Sequence, residues 1–441
     1  MGSFPRSRAP SSSAGPPANS SSSYRSALLR LVSFSRFGSK PGLKRINKLL
    51  ELLGNPQKDF RCILVAGTNG KGSTTAMLAR ILEGAGSRTG SYFSPSVFSF
   101  RERIQVDGRW ISKKDFAARA QEVFSLLPSM RPDQPTFFEV MTAMALLHFA
   151  REKADCAVLE AGLGGRHDAT NAVEPELSII TSVGLEHADV LGRTTRKIAR
   201  EKAGIIRPGR PVVCAVKDKP ALGVIKKISK RLHSPFYLVG EKPARRLRLR
   251  GKFQSINAAC ALKAAELIGA KPIAARAALS SFSMPARWQK ISSKPSVIID
   301  CCHNPPAAKA IQEDLKRDFA PLPARGRRGN ARPPRILLFS AMKDKDYGGM
   351  LRLLLPHFDS AVLCRPPYAR AAKLTDLKNA ASRAILKSGR RARKNAVAAQ
   401  NPDSALALSK SMAGKRGRVL VCGSMYLLQW LFGEREFRLT Q

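Results

Sequence analysis

The sequence predicts an α/β protein with two domains, and three observations support that prediction. Short apolar, β-rich runs alternate with segments of helical periodicity, which is typical of parallel, doubly wound sheets. Some of these runs, such as residues 296–300 and 335–340, are apolar almost throughout, as strands covered on both faces are. A polar, turn-rich stretch at 283–295 separates two such patterns and marks a domain boundary.

The individual elements can be predicted from residue 42 onward. Residues 42–54 place five apolar side chains on one face of a helix that Gly54 ends. The clearest strands are predicted at 62–66, 155–160, 177–183, 211–216, 296–300, 335–340, 360–364 and 418–422. Helices are predicted, among others, at 73–83, 137–151, 195–204, 255–268 and 305–318.

Composition divides the chain into a tail and two domains. Residues 1–37 are predicted to be a disordered, basic, Ser- and Pro-rich tail, and the domains are predicted at 38–283 and 284–441. The first fifty residues contain no Asp or Glu, as in an organellar transit peptide. A disordered tail or a start codon placed too early explains the composition equally well. The stretch 321–334 is predicted to be a basic surface loop.

The chain is strongly basic. Its 441 residues include 76 Lys and Arg against 32 Asp and Glu, a formal net charge of +44. Such a charge raises the question of a nucleic-acid partner. However, the basic residues are spread along the chain, without an RNP-like signature, a zinc finger or aromatic residues interleaved with basic ones. A basic proteome or a solvated basic surface explains the charge, and so does a field that attracts polyanionic small substrates.

The sequence indicates neither a membrane-spanning helix nor disulfide bonds. The longest apolar runs stop well short of the roughly 18 residues that a spanning helix needs. The eight cysteines have neither CxxC spacing nor a disulfide framework, and most lie in strand-like runs. They are therefore predicted to be buried thiols of a reducing compartment, and we expect a cytoplasmic protein.

A glycine-rich turn follows the first predicted strand, in the stretch CILVAGTNGKGSTTAMLARILEGAG (62–86). Its glycines would let the backbone approach a phosphate chain, and the following helix would aim its free N–H groups at the same anion. Lys71 supplies a charge for the β- and γ-phosphates, and a hydroxyl group beside it can meet Mg²⁺. The N-terminal domain is therefore predicted to be a P-loop ATPase domain with a mostly parallel sheet. The smaller C-terminal domain is predicted to be an α/β (Rossmann-like) domain.

This turn departs from the GxxxxGK[ST] pattern at two positions. Val65 stands where the first glycine is expected, and Gly72 stands where the hydroxyl residue is expected. The hydroxyl role consequently moves to Ser73.

Polar residues follow three further predicted strands. Glu160 ends one strand, His187 lies beyond a second, and Asp300 ends a third, with His303 and Asn304 just after it. Each has an ordinary structural explanation when taken alone, such as helix capping. Ligands and metals in open α/β sheets bind at the carboxyl ends of strands, and the three clusters together favour a site there.

These residues occur in motifs that resemble one known family. In order along the chain they are AGTNGKGS (66–73), FSPSVFSFRERI (93–104), FFEVMTAMALLHF (137–149), EAGLGGRHDATN (160–171), HADVLGRT (187–194), IAREKAGII (198–206), NAACAL (257–262), MPARW (284–288), DCCHNP (300–305) and KDKD (343–346). From about residue 38 to its end, the chain resembles folylpolyglutamate synthase/dihydrofolate synthase, of the Mur ligase superfamily. The resemblance implies a Mur-ligase-like ATP-binding domain at 38–283 and a C-terminal glutamate-ligase domain at 284–441.

The resemblance implies an ATP-dependent amide ligase. ATP would phosphorylate a substrate carboxylate, and the amino group of L-glutamate would displace phosphate from the resulting acyl phosphate. The acceptor would be dihydropteroate, the γ-carboxylate of a reduced (tetrahydro)folate, or both. Lys71 and the loop amides would stabilise the transferring phosphoryl group by positioning and electrostatics.

The resemblance also assigns roles to residues. The implied magnesium ligands are Ser94, Glu160, His187 and a carbamylated Lys202, with two metal sites. Because Mg²⁺ prefers oxygen donors, the histidine ligand depends on the family match. The implied nucleotide contacts are Asn69, Gly70, Lys71, Gly72, Ser73, Asn257, Arg287 and Asp300. Catalytic roles fall to Lys71, Lys202 and His303, and the implied acceptor site comprises Phe138, Glu139, His167, Asp168 and Ala169.

The chain departs from the family pattern at several positions. The family's SPHL is SPSV here, so that Ser96 replaces a histidine, and Glu186 replaces the usual aspartate before the metal histidine. His167 stands where an apolar residue is common, and DGAHNP is DCCHNP. The changes at Ser96 and His167 affect the expected folate contacts but remove no phosphate or metal group.

Three hypotheses about function follow. The first is the glutamate ligase described above, a monomer whose partners are the pterin acid, L-glutamate and ATP. The second keeps the ligase chemistry but changes the carboxylate acceptor. The third is a nucleic-acid-associated P-loop ATPase, which the net charge suggests and which Glu160, His187 and Lys202 argue against. We expect neither a nucleic-acid partner nor a membrane.

Overall fold

The computed structural model describes residues 20–38, 40–240, 249, 251–320, 332–387 and 395–434. These residues form two α/β units, each built on a mostly parallel sheet, which confirms the predicted fold class. Within this part of the chain, no helix is long and apolar enough to cross a membrane.

In the described residues, the N-terminal domain contains an eight-stranded sheet. Its strands are β1 (Arg61–Ala66), β2 (Thr89–Tyr92), β3 (Ile104–Val106), β4 (Arg109–Trp110), β5 (Cys156–Glu160), β6 (Pro175–Ile180), β7 (Val212–Cys214) and β8 (Phe236–Leu238). Their order across the sheet is β4-β3-β2-β5-β1-β6-β7-β8. Strands β2, β5, β1, β6, β7 and β8 are parallel to one another. At one edge, β3 pairs antiparallel with β2, and β4 pairs antiparallel with β3. The carboxyl ends of β1, β5 and β6 therefore meet at one edge of the sheet.

Helices cover both faces of this sheet. They are α1 (Ser20–Ser33), α2 (Lys44–Leu52), α3 (Lys71–Gly84), α4 (Lys113–Ser125), α5 (Phe137–Arg151), α6 (Ala188–Leu191), α7 (Thr195–Lys202), α8 (Lys219–Arg231), α9 (Lys252–Leu267) and α10 (Pro272–Ser280). Helices α3, α9 and α10 pack on one face, and α1, α2, α4 and α5 lie on the other. The strands β1 and β5 are buried almost throughout because both faces are covered, as their apolar sequences indicated.

The C-terminal domain contains a six-stranded sheet within the described ranges. Its strands are β9 (Gln289–Ser293), β10 (Ser296–Ile299), β11 (Arg335–Phe339), β12 (Ser360–Leu363), β13 (Asn395–Ala398) and β14 (Arg418–Cys422). Its helices are α11 (Pro305–Ala310), α12 (Gln312–Asp318), α13 (Tyr347–Leu354), α14 (Leu374–Lys387), α15 (Pro402–Ala413) and α16 (Met425–Phe432). The order is β13-β12-β11-β14-β10-β9, and β9 is antiparallel to its neighbour.

The structure corrects the prediction of a disordered tail. Residues 20–37 are helical, and Tyr24, Leu28 and Leu31 of α1 are at most 1% exposed. The Tyr24 ring packs edge-on against Phe116 of α4, with 5.1 Å between centroids. Spacings of four and three residues place these side chains on one helical face, which the Ser-rich composition obscured. Residues 1–19 lie outside the described residues, as do 321–331 of the predicted basic loop.

The structure divides one predicted helix and confirms the prediction for the cysteines. The predicted helix at 305–318 is divided at Ile311 into α11 and α12. All eight cysteines are buried and free, as predicted.

Candidate active site

A cavity of about 1380 Å³ lies between the two domains. The glycine turn after β1, the ends of β5 and β6, and residues 300–303 after β10 contribute to its wall. The carboxyl ends of parallel strands from both sheets therefore converge here, as expected for α/β proteins.

Hydrogen bonds fix the glycine turn to the end of β6. The carbonyl oxygen of Asn69 accepts hydrogen bonds from the hydroxyls of Thr181 and Ser182, each at 2.8 Å, and the Asn69 amide donates to Ser182 Oγ at 2.9 Å. The Lys71 ammonium donates to the carbonyl oxygens of Gly67 at 2.9 Å and Thr68 at 3.4 Å. The protein thus holds the turn in a defined shape through its own contacts.

Two glycines of the turn allow close approaches that a side chain would prevent. Gly70 has φ +90°, and a Cβ atom there would collide with the side chain of Asn257 on α9. A Cβ atom on Gly72 would lie 3.1 Å from Glu160 Oε2. The start of α3 therefore lies against both the predicted nucleotide contact Asn257 and the predicted metal ligand Glu160.

The Ser73 hydroxyl is engaged with α9 and the linker to the second domain. It donates to Met284 Sδ at 3.6 Å and accepts from Gln254 Nε2 at 3.4 Å, and Gln254 Oε1 accepts from Asn257 Nδ2 at 3.0 Å. Ser73 is 2% exposed. Neither Gln254 nor Met284 was identified from the sequence.

Glu160 and Ser94 are adjacent at the cavity wall. The Ser94 amide donates to Glu160 Oε2 at 2.9 Å. Burial raises the pKa of Glu160, although the positive charge of Lys71 opposes the rise. A bound cation would stabilise the charged form of this buried carboxylate.

Whether these residues fit a metal ion depends on the other ligands that would complete its coordination. Among the described residues, no three His, Cys, Asp or Glu side chains form a ready cluster for a metal ion. Mg²⁺ typically takes one or two protein carboxylates and completes its coordination with phosphate oxygens and water, so Glu160 and the Ser94 hydroxyl fit such a site. His187 is exposed and lies before α6, and partial burial together with the charge of Lys345 lowers its pKa.

Lys202 is a buried cation paired with Glu186. It is 1% exposed, and its Nζ lies 2.9 Å from Glu186 Oε1. Burial lowers the pKa of Lys202 to about 8, although Glu186 opposes the fall. Burial alone would raise the pKa of Glu186, but the charges of Lys202 and Lys71 hold it below its usual value. The two side chains therefore form one coupled unit at the cavity wall.

The second domain contributes Arg287, Asp300 and His303 to the cavity. Ala286 and Trp288, on either side of Arg287, both have positive φ, which costs about 1–2 kcal/mol each for residues other than glycine. Such local strain is typical of functional sites. The carboxylate of Asp300 accepts the amides of Trp288 and Cys302, each at 2.9 Å.

Burial favours the neutral form of His303. Burial lowers its pKa to about 4, and its Nδ1 lies 2.9 Å from the Cys301 carbonyl oxygen. Because a carbonyl oxygen can only accept, Nδ1 carries the proton and Nε2 is an acceptor. Burial therefore favours the neutral form of His303 over a second cation in this cavity.

The comparisons with known proteins agree with this arrangement. The Mur ligase middle domain matches residues 65–250, and the Mur ligase glutamate ligase domain matches residues 286–425. The dihydrofolate synthase/folylpolyglutamate synthase of Bacillus subtilis is 35% identical over 427 residues, covering 89% of this chain and 94% of that protein. The chain belongs to the folylpolyglutamate synthase/dihydrofolate synthase family of Mur ligases.

Solved structures of this family are similar over nearly the whole chain. Escherichia coli FolC in complex with DHPP and ADP has a TM-score of 0.78 and 29% identity, covering 92% of this chain and 96% of that chain. A bifunctional folylpolyglutamate synthase/dihydrofolate synthase with Mn, AMPPNP and L-glutamate bound has a TM-score of 0.76 and 28% identity, covering 92% and 97%. As a member of this family, the chain is an ATP-dependent carbon–nitrogen ligase.

The predicted acceptor residues of this synthase do not line the cavity. The Glu139 carboxylate accepts from the Thr136 amide at 2.7 Å and from Arg45 Nε at 3.2 Å. The first hydrogen bond is half of the capping box at the start of α5, and the second joins α5 to Arg45 on α2. The structure therefore shows Glu139 in a structural role, and its contact with an acceptor stays a prediction.

Asp168 is likewise engaged within its own loop. Its Oδ2 accepts the Leu163 amide at 2.8 Å, and its Oδ1 accepts the amide and hydroxyl of Thr170 at 3.0 and 2.6 Å. His167 is exposed, whereas Ala169 is buried. These contacts shape the glycine loop after β5, and binding of an acceptor by these residues stays a prediction.

Phe138 lies directly behind the cavity wall. A Cβ atom added to Gly162, which lines the cavity, would lie 2.7 Å from the Phe138 ring. The Phe138 ring also packs against Tyr92, with 5.9 Å between centroids. Gly162 therefore leaves the space that the Phe138 ring occupies, and contact of Phe138 with an acceptor stays a prediction.

Sequence reasoning missed several contacts that shape this site. Thr181 and Ser182 directly follow β6 and hold the glycine turn, but the predicted strand at 177–183 included both, so the rule that pointed to Glu160 did not single them out. Asn304 bonds to Asn69, and the sequence carries no signal for this pair because the two residues are 235 positions apart.

Proposed function

We propose that this ligase joins L-glutamate to dihydropteroate, to the γ-carboxylate of a reduced folate, or to both. An oxygen of the acceptor carboxylate attacks the γ-phosphorus of ATP, and ADP leaves. The glutamate amine then attacks the acyl carbon, phosphate leaves as the C–N bond forms, and the amine loses a proton. Activation is needed because a carboxylate is a poor acyl donor and its mixed anhydride with phosphate is a good one.

One observation carries this proposal: the glycine turn and the buried Glu160 lie against each other at a cavity that both domains line. Gly72 leaves room for the Glu160 carboxylate at the start of α3. A phosphate chain on the turn would therefore lie near both the N–H groups of α3 and a buried carboxylate that can hold a divalent cation. This is the arrangement that phosphoryl transfer from a metal–nucleotide complex requires.

The protein's own groups would act mainly by positioning and electrostatics. The turn amides and Lys71 would stabilise the charge that develops on the phosphate oxygens, and Arg287 would approach from the second domain. A divalent cation held by Glu160 and Ser94 would supply further charge stabilisation when bound. His303, being neutral, would accept a hydrogen bond at Nε2.

We further propose that His187 is a metal ligand together with Glu160 and Ser94, and that Lys202 is carbamylated in the active enzyme and helps to hold a second divalent cation. The neutral amine would add to CO₂ with loss of one proton, which replaces a cation by an anion. The burial of Lys202 beside Glu186 supports this proposal, because two adjacent buried anions would require a cation between them.

The partners in this proposal are small molecules. The pterin acid and L-glutamate are both anionic, and a strongly basic protein attracts such substrates. We propose a monomer with no nucleic-acid partner, working in a reducing compartment such as the cytoplasm, which eight free buried thiols suit.

A panel of acceptors tests the function. Purified protein with ATP, Mg²⁺ and L-glutamate should release ADP with dihydropteroate, with tetrahydrofolate, or with both, and hydroxylamine should trap an acyl hydroxamate. Release of ADP only with a carboxylic acid that lacks a pterin would refute the acceptor assignment. Stimulation of ATP turnover by DNA or RNA, without any response to pterins and glutamate, would refute the ligase assignment.

A further inference from the structure

The loop that carries Ser94 is held by the C-terminal end of the described chain. We call residues 94–103 the Ser94 loop. Gln429 on α16 donates from Nε2 to the Ser96 carbonyl oxygen at 2.5 Å. Two residues beyond α16, the Glu434 amide donates to the Phe98 carbonyl oxygen at 2.7 Å. The second domain thus binds the backbone of this loop at two points.

The side chain of Glu434 adds two further contacts. Its Oε2 accepts from Ser99 Oγ at 2.7 Å, and its Oε1 accepts from Arg101 Nη2 at 2.9 Å. The side chains of Arg101 and Glu434 are 19% and 25% exposed, so this ion pair is partly shielded from solvent. Partly buried, charge-assisted hydrogen bonds are stronger than those on an open surface.

Apolar packing fixes the same loop to the second domain. Val97 is 7% exposed and belongs to the C-terminal core with Val297 and Val421. The Glu102 carboxylate accepts the amides of Val97, Phe98 and Ser99, so the loop is internally braced. A displacement of the second domain would therefore carry this braced segment with it.

The N-terminal end of the Ser94 loop lies at the proposed metal site. The Ser94 amide donates to Glu160 Oε2, and Ser96 Oγ accepts from Arg103 Nε at 3.1 Å. If the Ser94 loop moves, the Ser94 hydroxyl moves with it and Glu160 loses its amide partner. The two proposed oxygen donors from the first domain are thus coupled to contacts made by the second.

We propose that Gln429 and Glu434 are positioning residues that act on the metal–nucleotide centre through the Ser94 loop. By holding the Ser94 loop, Gln429 and Glu434 set the spacing of Ser94 and Glu160. The centre therefore binds metal tightly only when the second domain is docked. This inference rests on the proposed assignment of Ser94 and Glu160 as metal donors. It assigns no contact with substrate to Gln429 or Glu434.

Metal binding, measured apart from turnover, tests this proposal. Mn²⁺ would be titrated into the full-length protein with a non-hydrolysable ATP analogue, and free Mn²⁺ would be followed by electron paramagnetic resonance. We expect Glu434→Ala and Gln429→Ala each to weaken Mn²⁺ binding about 3- to 10-fold, the effect of one or two lost hydrogen bonds. Glu434→Gln, which keeps an acceptor oxygen, should be intermediate and guards against misfolding of the alanine variant.

A matched control breaks an ion pair within the second domain. Asp359→Ala removes the pair between Arg335 and Asp359, which joins β11 to the segment before β12. It should lower thermal stability without changing Mn²⁺ affinity. In steady-state assays, Glu434→Ala should raise the Mg²⁺ concentration for half-maximal rate and leave the KM for glutamate unchanged.

The outcomes separate this inference from the proposed function. Unchanged Mn²⁺ affinity in folded Glu434→Ala and Gln429→Ala proteins would overturn the positioning role while leaving the function intact. Equal losses in these variants and in Asp359→Ala would also overturn it, because general destabilisation would then be the cause. If the wild-type protein bound no Mn²⁺ with the nucleotide, the metal assignment itself would fall, and this inference with it.

Discussion

Asn69 of the glycine turn and Asn304 at the start of α11 exchange side-chain hydrogen bonds between the two domains. Asn304 Nδ2 donates to Asn69 Oδ1 at 3.1 Å, and Asn69 Nδ2 lies 3.4 Å from Asn304 Oδ1. Asn304 Oδ1 also accepts the Ala307 amide at 2.8 Å and thereby caps α11. The glycine turn is thus in direct contact with a helix terminus of the second domain.

Replacing Asn304 by serine should weaken nucleotide binding without harming the fold. Serine is a good N-cap but too short to reach Asn69, so Asn304→Ser loses the interdomain contact and keeps the helix cap. One hydrogen bond contributes about 1 kcal/mol, and we expect the KM for ATP to rise about 5-fold. Asn304→Ala, which loses both contacts, should also lower the thermal midpoint. An unchanged KM in the serine variant would mean that the amide pair does not position the turn.

Removing the Lys71 charge should abolish most of the activity. Lys71 is the cation of the turn itself, and loss of one preorganised electrostatic contact at a phosphoryl group typically costs about 10²–10³ in kcat. We expect a fall of this size in Lys71→Ala, measured by ADP release with saturating ATP. Lys48→Ala, an exposed lysine on α2, is the control and should retain the wild-type rate. Full turnover by Lys71→Ala would exclude phosphoryl transfer on this turn.

Carbamylation of Lys202 can be detected and chemically replaced. Protein equilibrated with ¹³C-bicarbonate should show a carbamate carbon signal that is absent in Lys202→Gln, which can still donate to Glu186. Lys202→Ala should lose about 10- to 100-fold in activity, and acetate should restore part of it by supplying a carboxylate in the vacated space. A fully active Lys202→Gln variant would show that the modification is dispensable.

The neutral state of His303 should make the protein less stable in mild acid. Its pKa is about 4 in the fold and near 6.5 in the unfolded chain, so the unfolded state binds the proton more readily between those values. This contribution to stability is therefore complete above about pH 6.5 and is lost progressively as the pH falls toward 4. Asn can donate to the Cys301 carbonyl oxygen as Nδ1 does but does not titrate. Between pH 7 and pH 5, the thermal midpoint should fall less in His303→Asn than in the wild type, and equal falls would contradict the assignment.

The sequence predicted the parts of the site that follow from strand geometry. Lys71, Glu160 and Asp300 could be found because each lies at or just beyond the carboxyl end of a clearly apolar strand, and such ends converge in parallel sheets. Asn257 and Arg287 came from the family resemblance, and the structure places both in the cavity wall. What no periodicity can reveal is a contact between distant loops, such as Asn69 with Asn304 or Ser99 with Glu434.

The acceptor residues show a different limit of sequence reasoning. A motif records which residues occur at a position but does not state what their side chains bond to. Glu139 lies in the capping box at the start of α5, and Asp168 bonds within its own loop, so local hydrogen bonding competes with the ligand role that the motif implied.

Composition misled the sequence analysis at the N-terminus, and α1 offers a paired test of the correction. Leu28 is 1% exposed and belongs to the N-terminal core, whereas its neighbour Leu29 is 44% exposed on the same helix. Truncating a buried leucine typically costs about 2–5 kcal/mol, because transfer energy is lost and a cavity remains. Leu28→Ala should therefore lower the free energy of unfolding by about that amount in urea titrations, while Leu29→Ala should change it by about 0.5 kcal/mol or less. Because both variants have the same composition and nearly the same helix propensity, a difference between them can arise only from packing. Equal, small effects would mean that α1 does not pack on α4 in solution and that the tail is disordered through residue 37, as its composition suggested.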